Sequence, residues 1–219
     1  MARDAAEDCM NVKNMTPPSE SESRARNQSE RVRVHSRHVL SDGWATLEQV
    51  VFDYQRNDGR WQEQHREIYH RGHGSAILLY NRDKRTIVLT RQFRFPAWTL
   101  GGDGLLLEVP AGIIENGDAQ ATIRAETEQE TGFLIEPPEF LFRAYATPGS
   151  VTEQLFYFAA AYDATRRSGT GGGVEEEGED IEVLEVELEQ AVEWIASGEI
   201  MDAKTIVLIQ YAQLHVFGN

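Results

Sequence analysis

The sequence predicts an α+β fold in which helices pack on a mixed sheet. Three observations carry the prediction. Apolar and polar residues alternate on both sides of short Asn-, Asp- and Gly-bearing turns, as paired antiparallel strands require. Helical spacing of apolar residues is confined to a few stretches, so strands outnumber helices. No internal repeat and no second linker interrupts the chain beyond residue 33. With 219 residues, of which 41% are hydrophobic, the chain is long enough for one domain with a core of its own.

The elements follow in order. Residues 1–33, including "PPSESESRARNQSERVR", are rich in Ser, Glu and Arg and poor in large apolar side chains. Such a segment cannot offset its ordering entropy and is expected to be a disordered tail. It holds six acidic and six basic residues, so residues 34–219 carry the whole charge excess. From Val34 the pattern is β-rich, and "WATLEQVVFDYQRNDGRWQEQHREIYHRG" folds back at Asn57-Asp58-Gly59, a hairpin turn. "SAILLYNRDKRTIVLTRQF" repeats that design about residues 81–85. "LLLEVP" reads as a short buried strand. A helix follows over residues 119–131. "EFLFRAYA" and "TEQLFYFAAAYDA" are two further strands joined through Thr147-Pro148-Gly149-Ser150. Residues 169–178 are a loop and "DIEVLEVEL" is a strand. Leu188, Ala191, Val192 and Ile195 then mark a helix at i, i+3, i+4, i+7, and a last helix spans residues 204–217.

Composition narrows the function classes. The net charge is −15, from 21 basic and 36 acidic residues, so a nucleic-acid partner is not expected. A phosphorylated small molecule remains compatible if a cation mediates the contact. No apolar run reaches the ~18 residues of a membrane span, and no apolar segment of the kind found in a secretory signal is seen near the N-terminus. The single cysteine, Cys9, cannot form an intrachain bridge, which suits a reducing cytoplasm.

The stretch "AGIIENGDAQATIRAETEQETGF" carries the chemistry. Glu126, Glu128 and Glu130 crowd the last turns of a helix closed by Gly132. A helix C-terminus has partial negative charge and favours Lys or Arg. Glu126 and Glu130, four residues apart, share a face and repel by a few tenths of a kcal/mol, ~0.3 kcal/mol. Either that face is simply solvated, or a hard divalent cation sits between the carboxylates, in the company of substrate phosphates and water.

This stretch resembles the Nudix box, whose pattern is Gly, five residues, Glu, seven residues, then Arg-Glu-apolar-x-Glu-Glu-x-Gly-apolar. Gly112 opens it, Gly132-Phe133 closes it, and Glu126 and Glu130 stand at the matching places. Asp118 replaces the first Glu, Ala125 the Arg (with Arg124 adjacent), Thr127 the apolar residue, and Gln129 the first Glu of the pair; the box is one residue short. From Ser41 onward the chain is similar, in order, to the GDP-mannose hydrolase branch of the Nudix family. The matching segments are "REIYHRGHGSAILLYN", "VLTRQFR", "PAGIIEN", "TPGSVTE", "GGGVEEEGEDIEVLE" and "GEIMDAKT". That branch shares the contraction and the displaced basic residue. The resemblance implies a Nudix α/β/α sandwich and a domain-swapped homodimer. Residues 34–72 would form the β-rich dimerisation part and residues 73–219 the Nudix fold.

The resemblance also implies roles. The metal ligands would be Glu126, Glu130 and the carbonyl of Ala111, with Glu179 as a further ligand and general base. Glu177 stands as the alternative base, because its segment is longer than in that branch. The cofactor would be Mg²⁺, with Mn²⁺ the substitute, and Asp118 would support the ligands. The Gly171-Gly172-Gly173 run would let its loop swing over the bound ions. Arg94 would pair with the diphosphate, Glu153 with the sugar, and Lys204 with another part of the substrate. Trp44 would stack on the base, while His65, Arg66 and Glu67 reach base and ribose of the partner subunit's ligand. His70 and His73 are read as structural. The expected reaction is hydrolysis of a nucleoside diphosphate sugar, GDP-mannose, to GMP and mannose 1-phosphate. ADP-ribose is the rival substrate, since Pro148 lies fifteen residues beyond Phe133, a spacing also found in ADP-ribose hydrolases. A non-catalytic nucleotide-binding domain is the reading from a different class, resting on Asp118 and Gln129.

Overall fold

A computed structural model describes residues 31–115 and 117–218, with Glu177 described in its backbone alone. Most of the expected tail, residues 1–30, and Asn116 of the expected Asn116-Gly117 turn lie outside the described residues. The described chain forms two compact units. The smaller comprises the chain up to His73 together with residues 115–118 and 145–154; the larger comprises residues 74–114, 119–144 and 155 onward.

The smaller unit is built on a three-stranded antiparallel sheet of β1 (Val32–Asp42), β2 (Thr46–Gln55) and β3 (Trp61–His70), in that order. The β2–β3 hairpin turns at the expected place. Arg56 and Arg60 close the loop with an N–H···O bond of 2.8 Å, and Gly59 takes φ +84°, a conformation a side chain disfavours. Asp58 accepts from the Arg60 amide at 3.1 Å. Strand β1, not resolved as a separate strand by the sequence pattern, is bulged between Val34 and Ser36 and between Val39 and Ser41. Each bulge adds a residue and breaks the clean two-residue alternation on which strand recognition depends. Segment 145–154 runs beside β3, with Val151 bridging Tyr69.

The larger unit holds a seven-stranded sheet. Its path is β10 (Glu182–Glu187), β5 (Thr86–Phe93), β4 (Gly74–Asn81), β9 (Gln154–Ala161) and β8 (Glu139–Tyr145). Two short strands sit off this path: β6 (Leu105–Glu108) on β5 and β7 (Ala111–Ile113) on β4. The β4–β9 pair is parallel and the β4–β5 pair antiparallel, so the sheet is mixed. Strand β4 is an unbroken apolar run because both its faces are covered. Ile77 and Leu79 pack with Ile123 of α2 (Ala119–Thr131), Phe133 and Phe158. Ala76 and Leu78 pack with Ala191 of α3 (Leu188–Ser197) and Leu208 and Ile209 of α4 (Ala203–Tyr211). The first helix, α1 (Phe95–Trp98), is four residues long and follows β5.

The differences from the expected elements are local. Strand β7 and helix Phe95–Trp98 are three and four residues long, too short to show a period. The last helix ends at Tyr211 and passes into a π turn at Ala212–Val216, where one uninterrupted helix was expected. Within the expected loop, Glu175–Glu177 forms one 3₁₀ turn. Among the described residues no helix is long and apolar enough to cross a membrane.

Candidate functional site

The carboxylate-bearing helix α2 is anchored by what its sequence buries. Ile123 and Thr127 are fully buried, and Thr127 returns its hydroxyl to the Ile123 carbonyl at 2.7 Å. The helix ends at Gly132, whose φ of +72° lets its amide reach the Glu128 carbonyl at 2.8 Å. A loop from the far end of the sheet then lies against the helix terminus. The Gly172 amide donates to the Glu130 carbonyl at 2.9 Å, and the Gly173 amide to the Gln129 carbonyl at 3.1 Å. A Cβ on Gly171 would stand 2.4 Å from the Glu130 carbonyl oxygen, so only glycine permits the approach. These amides, rather than Lys or Arg, satisfy the carbonyls of the last turn. They also strap the glycine run to α2.

Three carboxylates converge within the larger unit. Glu130 is 2% exposed, and its Oε2 has no hydrogen-bond partner among the described residues. Burial holds its carboxyl well above the ordinary range; the charges of Glu126, Glu179 and Glu108 push the same way, and a hydrogen bond with the Ala111 main chain opposes them. Half-buried Glu126 lies across β7, so close that a Cβ on Gly112 would meet its Oε1 at 2.1 Å. Glu179, also half-buried, accepts from the Val174 amide at 2.9 Å. Its Oε2 would be 2.5 Å from a Cβ on Gly173. An orphaned carboxylate oxygen among like charges is costly in a dry site. The donor set, carboxylate and carbonyl oxygens only, fits a hard divalent cation.

The cationic residues of the larger unit meet on a carboxylate that the sequence reading left unassigned. Glu108, at the end of β6 and 4% exposed, accepts from Arg94 Nε at 2.7 Å on one oxygen and from Lys204 Nζ at 2.5 Å on the other. Lys204 also contacts Asp202 at 3.0 Å. The signal was present in "LLLEVP": a glutamate inside a buried apolar strand needs a partner. Gln129, Glu175 and Glu176 are exposed, and the side chain of Glu177 lies outside the described residues.

The remaining expected residues belong to the smaller unit. Glu153 is buried there, with Arg71 Nη1 at 3.4 Å. The Arg71 guanidinium stands 5.5 Å from the ring centre of Trp44, which is 72% exposed. His65 pairs with Glu63 at 3.2 Å, Arg66 donates to Gln64 at 2.8 Å, and Glu67 is exposed. Asp118, exposed, is also in this unit. His70 contacts Glu48 at 3.2 Å, and His73 Nδ1 accepts from the Gln154 amide at 3.1 Å. His35, Asp53 and Glu63 bring donor atoms within 4.8 Å of one another; the 2.9 Å His35–Asp53 ion pair already accounts for that cluster.

Comparison with known proteins adds sequence-wide matches to this geometry. Residues 31–69 match the family model "GDP-mannose pyrophosphatase NudK N-terminal domain". The chain is 45% identical over 177 residues to a GDP-mannose pyrophosphatase of Enterobacter sp. (strain 638), covering 80% of this chain and 92% of that one. It is 48% identical over 175 residues to the GDP-mannose pyrophosphatase of Pectobacterium atrosepticum, covering 80% and 90%. Among solved structures, one described as an ADP compounds hydrolase superposes with a TM-score of 0.64 at 16% identity, covering 84% of this chain and 92% of the other. At that identity the likeness speaks for the fold.

Proposed function

The chain belongs to the GDP-mannose pyrophosphatases of the Nudix superfamily, and from that premise we propose that it hydrolyses the diphosphate bond of GDP-mannose to GMP and mannose 1-phosphate. The observation that carries the reading is the buried, unpartnered Glu130 oxygen facing the charges of Glu126 and Glu179. Glu126, Glu130, Glu179 and the Ala111 carbonyl are the proposed ligands of Mg²⁺, for which Mn²⁺ substitutes. A bound dication supplies charge neutralisation at the diphosphate oxygens and lowers the pKa of a water.

The protein's own groups do the rest. Glu179, its orientation fixed by the Val174 amide, accepts a proton from the attacking water. The Arg94 guanidinium, 41% exposed in its side chain, keeps its two Nη groups for a diphosphate, to which a planar fork is suited. Lys204 adds a second positive charge. Glu153 is the proposed partner of the sugar hydroxyls, Trp44 of the base, and His65, Arg66 and Glu67 of base and ribose. Asp118 is the proposed support for the ligands. We further propose a cytoplasmic homodimer that exchanges its N-terminal sheet between subunits, with a tail that stops short of the expected residue 33, because Val32 and Arg33 already pair with β2.

A turnover panel with Mg²⁺ tests the reading. GDP-mannose is expected to give the highest kcat/KM among GDP-mannose, ADP-ribose and other nucleotide sugars, with GMP and mannose 1-phosphate as products. Equal or faster cleavage of ADP-ribose would overturn the substrate. Binding without turnover of any of them would favour the non-catalytic alternative.

A further inference from the structure

Glu108 is the most enclosed acidic side chain in the larger unit after Glu130, and it is not among the proposed ligands. Both its oxygens are occupied, one by Arg94 and one by Lys204. The contact joins three separate pieces of chain. Arg94 caps the Phe95–Trp98 helix, and its amide is fixed to the Gly104 carbonyl at 2.8 Å. Glu108 closes β6. Lys204 stands in the first turn of α4, whose cap, Asp202, accepts from the Thr205 amide at 3.0 Å. The Thr205 hydroxyl in turn accepts from the Val109 amide at 2.8 Å, which fixes α4 to the residue after Glu108.

From this geometry we propose that Glu108 is a positioning residue, a buried strut that aims the guanidinium of Arg94 and the ammonium of Lys204 at the diphosphate of the substrate. The inference rests on the proposed function. Arg94 is bound through Nε alone, and no acceptor among the described residues engages Nη1 or Nη2. An arginine left free would spread its side chain over several rotamers, and ordering it would cost binding free energy. Held at Nε, it presents the fork already oriented. Stability does not by itself call for such a group, because replacing a buried ion pair with apolar residues is often neutral or stabilising.

Steady-state kinetics on Glu108→Gln, Arg94→Ala and the double variant test the proposal, with folding followed by thermal melting. Glu108→Gln keeps the shape and removes the charge that holds both cations. KM for GDP-mannose is expected to rise about tenfold while kcat changes far less, since the lost interaction serves binding. In the Arg94→Ala background Glu108→Gln is expected to add a smaller loss than it causes in the wild type, because only Lys204 is then left for the strut to aim. An unchanged KM, or an equal loss in the two backgrounds, would overturn the proposal. Should Glu108→Gln fail to fold, Glu108→Asp keeps the charge with a shorter reach and is expected to show the same KM-selective loss. If the wild type leaves GDP-mannose intact, the function reading falls separately. The strut is then read from calorimetric binding of inorganic pyrophosphate with Mg²⁺, and an affinity equal in wild type and Glu108→Gln would sink it.

Discussion

Charge is handled in opposite ways in the two units. On the three-stranded sheet acids are set beside basic side chains: Arg37 and Glu48 at 2.9 Å, Arg60 and Asp58 at 2.7 Å, His35 and Asp53 at 2.9 Å. Each pair keeps at least one partner open to water, so each contributes roughly 0–1 kcal/mol and is screened by salt. In the larger unit Glu126, Glu130 and Glu179 are brought toward one another, and Glu130 is almost wholly enclosed. Nothing in folding alone favours that arrangement. The contrast separates charges that keep a surface solvated from charges whose unfavourable placement is held by the fold around them, and a dication is what relieves the second kind.

The largest expected effect comes from removing that conflict. Glu130→Gln should lower kcat on GDP-mannose by about 10³-fold or more, as the loss of several kcal/mol of metal-assisted stabilisation implies. The same variant should melt at or above the temperature of the metal-free wild type, because a desolvated charge has been deleted. A melting temperature that falls along with activity would mean that Glu130 is a structural residue. The equivalent neutralisation in the smaller unit, Glu48→Gln, removes a partner that Arg37 and His70 share and has no such opposing pair of effects.

A pH series sharpens the contrast. The Glu130 carboxyl sits well above the ordinary value, so the folded state holds this proton more firmly than the unfolded chain. Its contribution is complete below about pH 4.3, the unfolded carboxyl pKa, and is lost as pH rises through the folded pKa. In EDTA the melting temperature is therefore expected to fall between pH 5 and 8, and saturating Mg²⁺ should reduce the fall. The carboxyls held below their ordinary value, Asp58 by its Arg60 partner and Asp163 by the Thr165 amide, contribute stability lost only in acid, outside this window. Glu130→Gln should flatten the response; an unchanged slope in that variant would assign it to another group.

The sequence made much of this legible, for reasons specific to each element. Helix α2 ends where the sequence reading placed its end, because Gly132 stops it where no other residue fits. The β4–β5 hairpin was readable from its turn at residues 81–85, and the β2–β3 turn as Asn-Asp-Gly. What escaped depends on distance in the chain. Glu108 meets Lys204 across 96 residues, and no local period encodes that pairing. The strap role of Gly171 and Gly172 depends on carbonyls some forty residues earlier, so glycine content alone did not show the close approach for which the fold uses it. Gly112 shows the same: its need arises only when Glu126 folds back over it.

The smallest effect expected lies in the smaller unit and is read as a change in affinity with the fold untouched. Trp44 is 72% exposed and its ring faces Arg71 at 5.5 Å, so Trp44→Ala removes little buried surface and should leave the melting temperature within a few degrees, about 2 °C. If the indole stacks on the base, its loss removes about 1–3 kcal/mol, and KM should rise roughly tenfold with kcat nearly constant. A purine nucleotide with the wrong sugar should lose affinity equally, because the contact is to the base. An unchanged KM would remove Trp44 from base recognition, and a large drop in melting temperature would reassign it to packing on Arg71. Either result would leave the carboxylate centre intact, since Trp44 is not among the residues that build it.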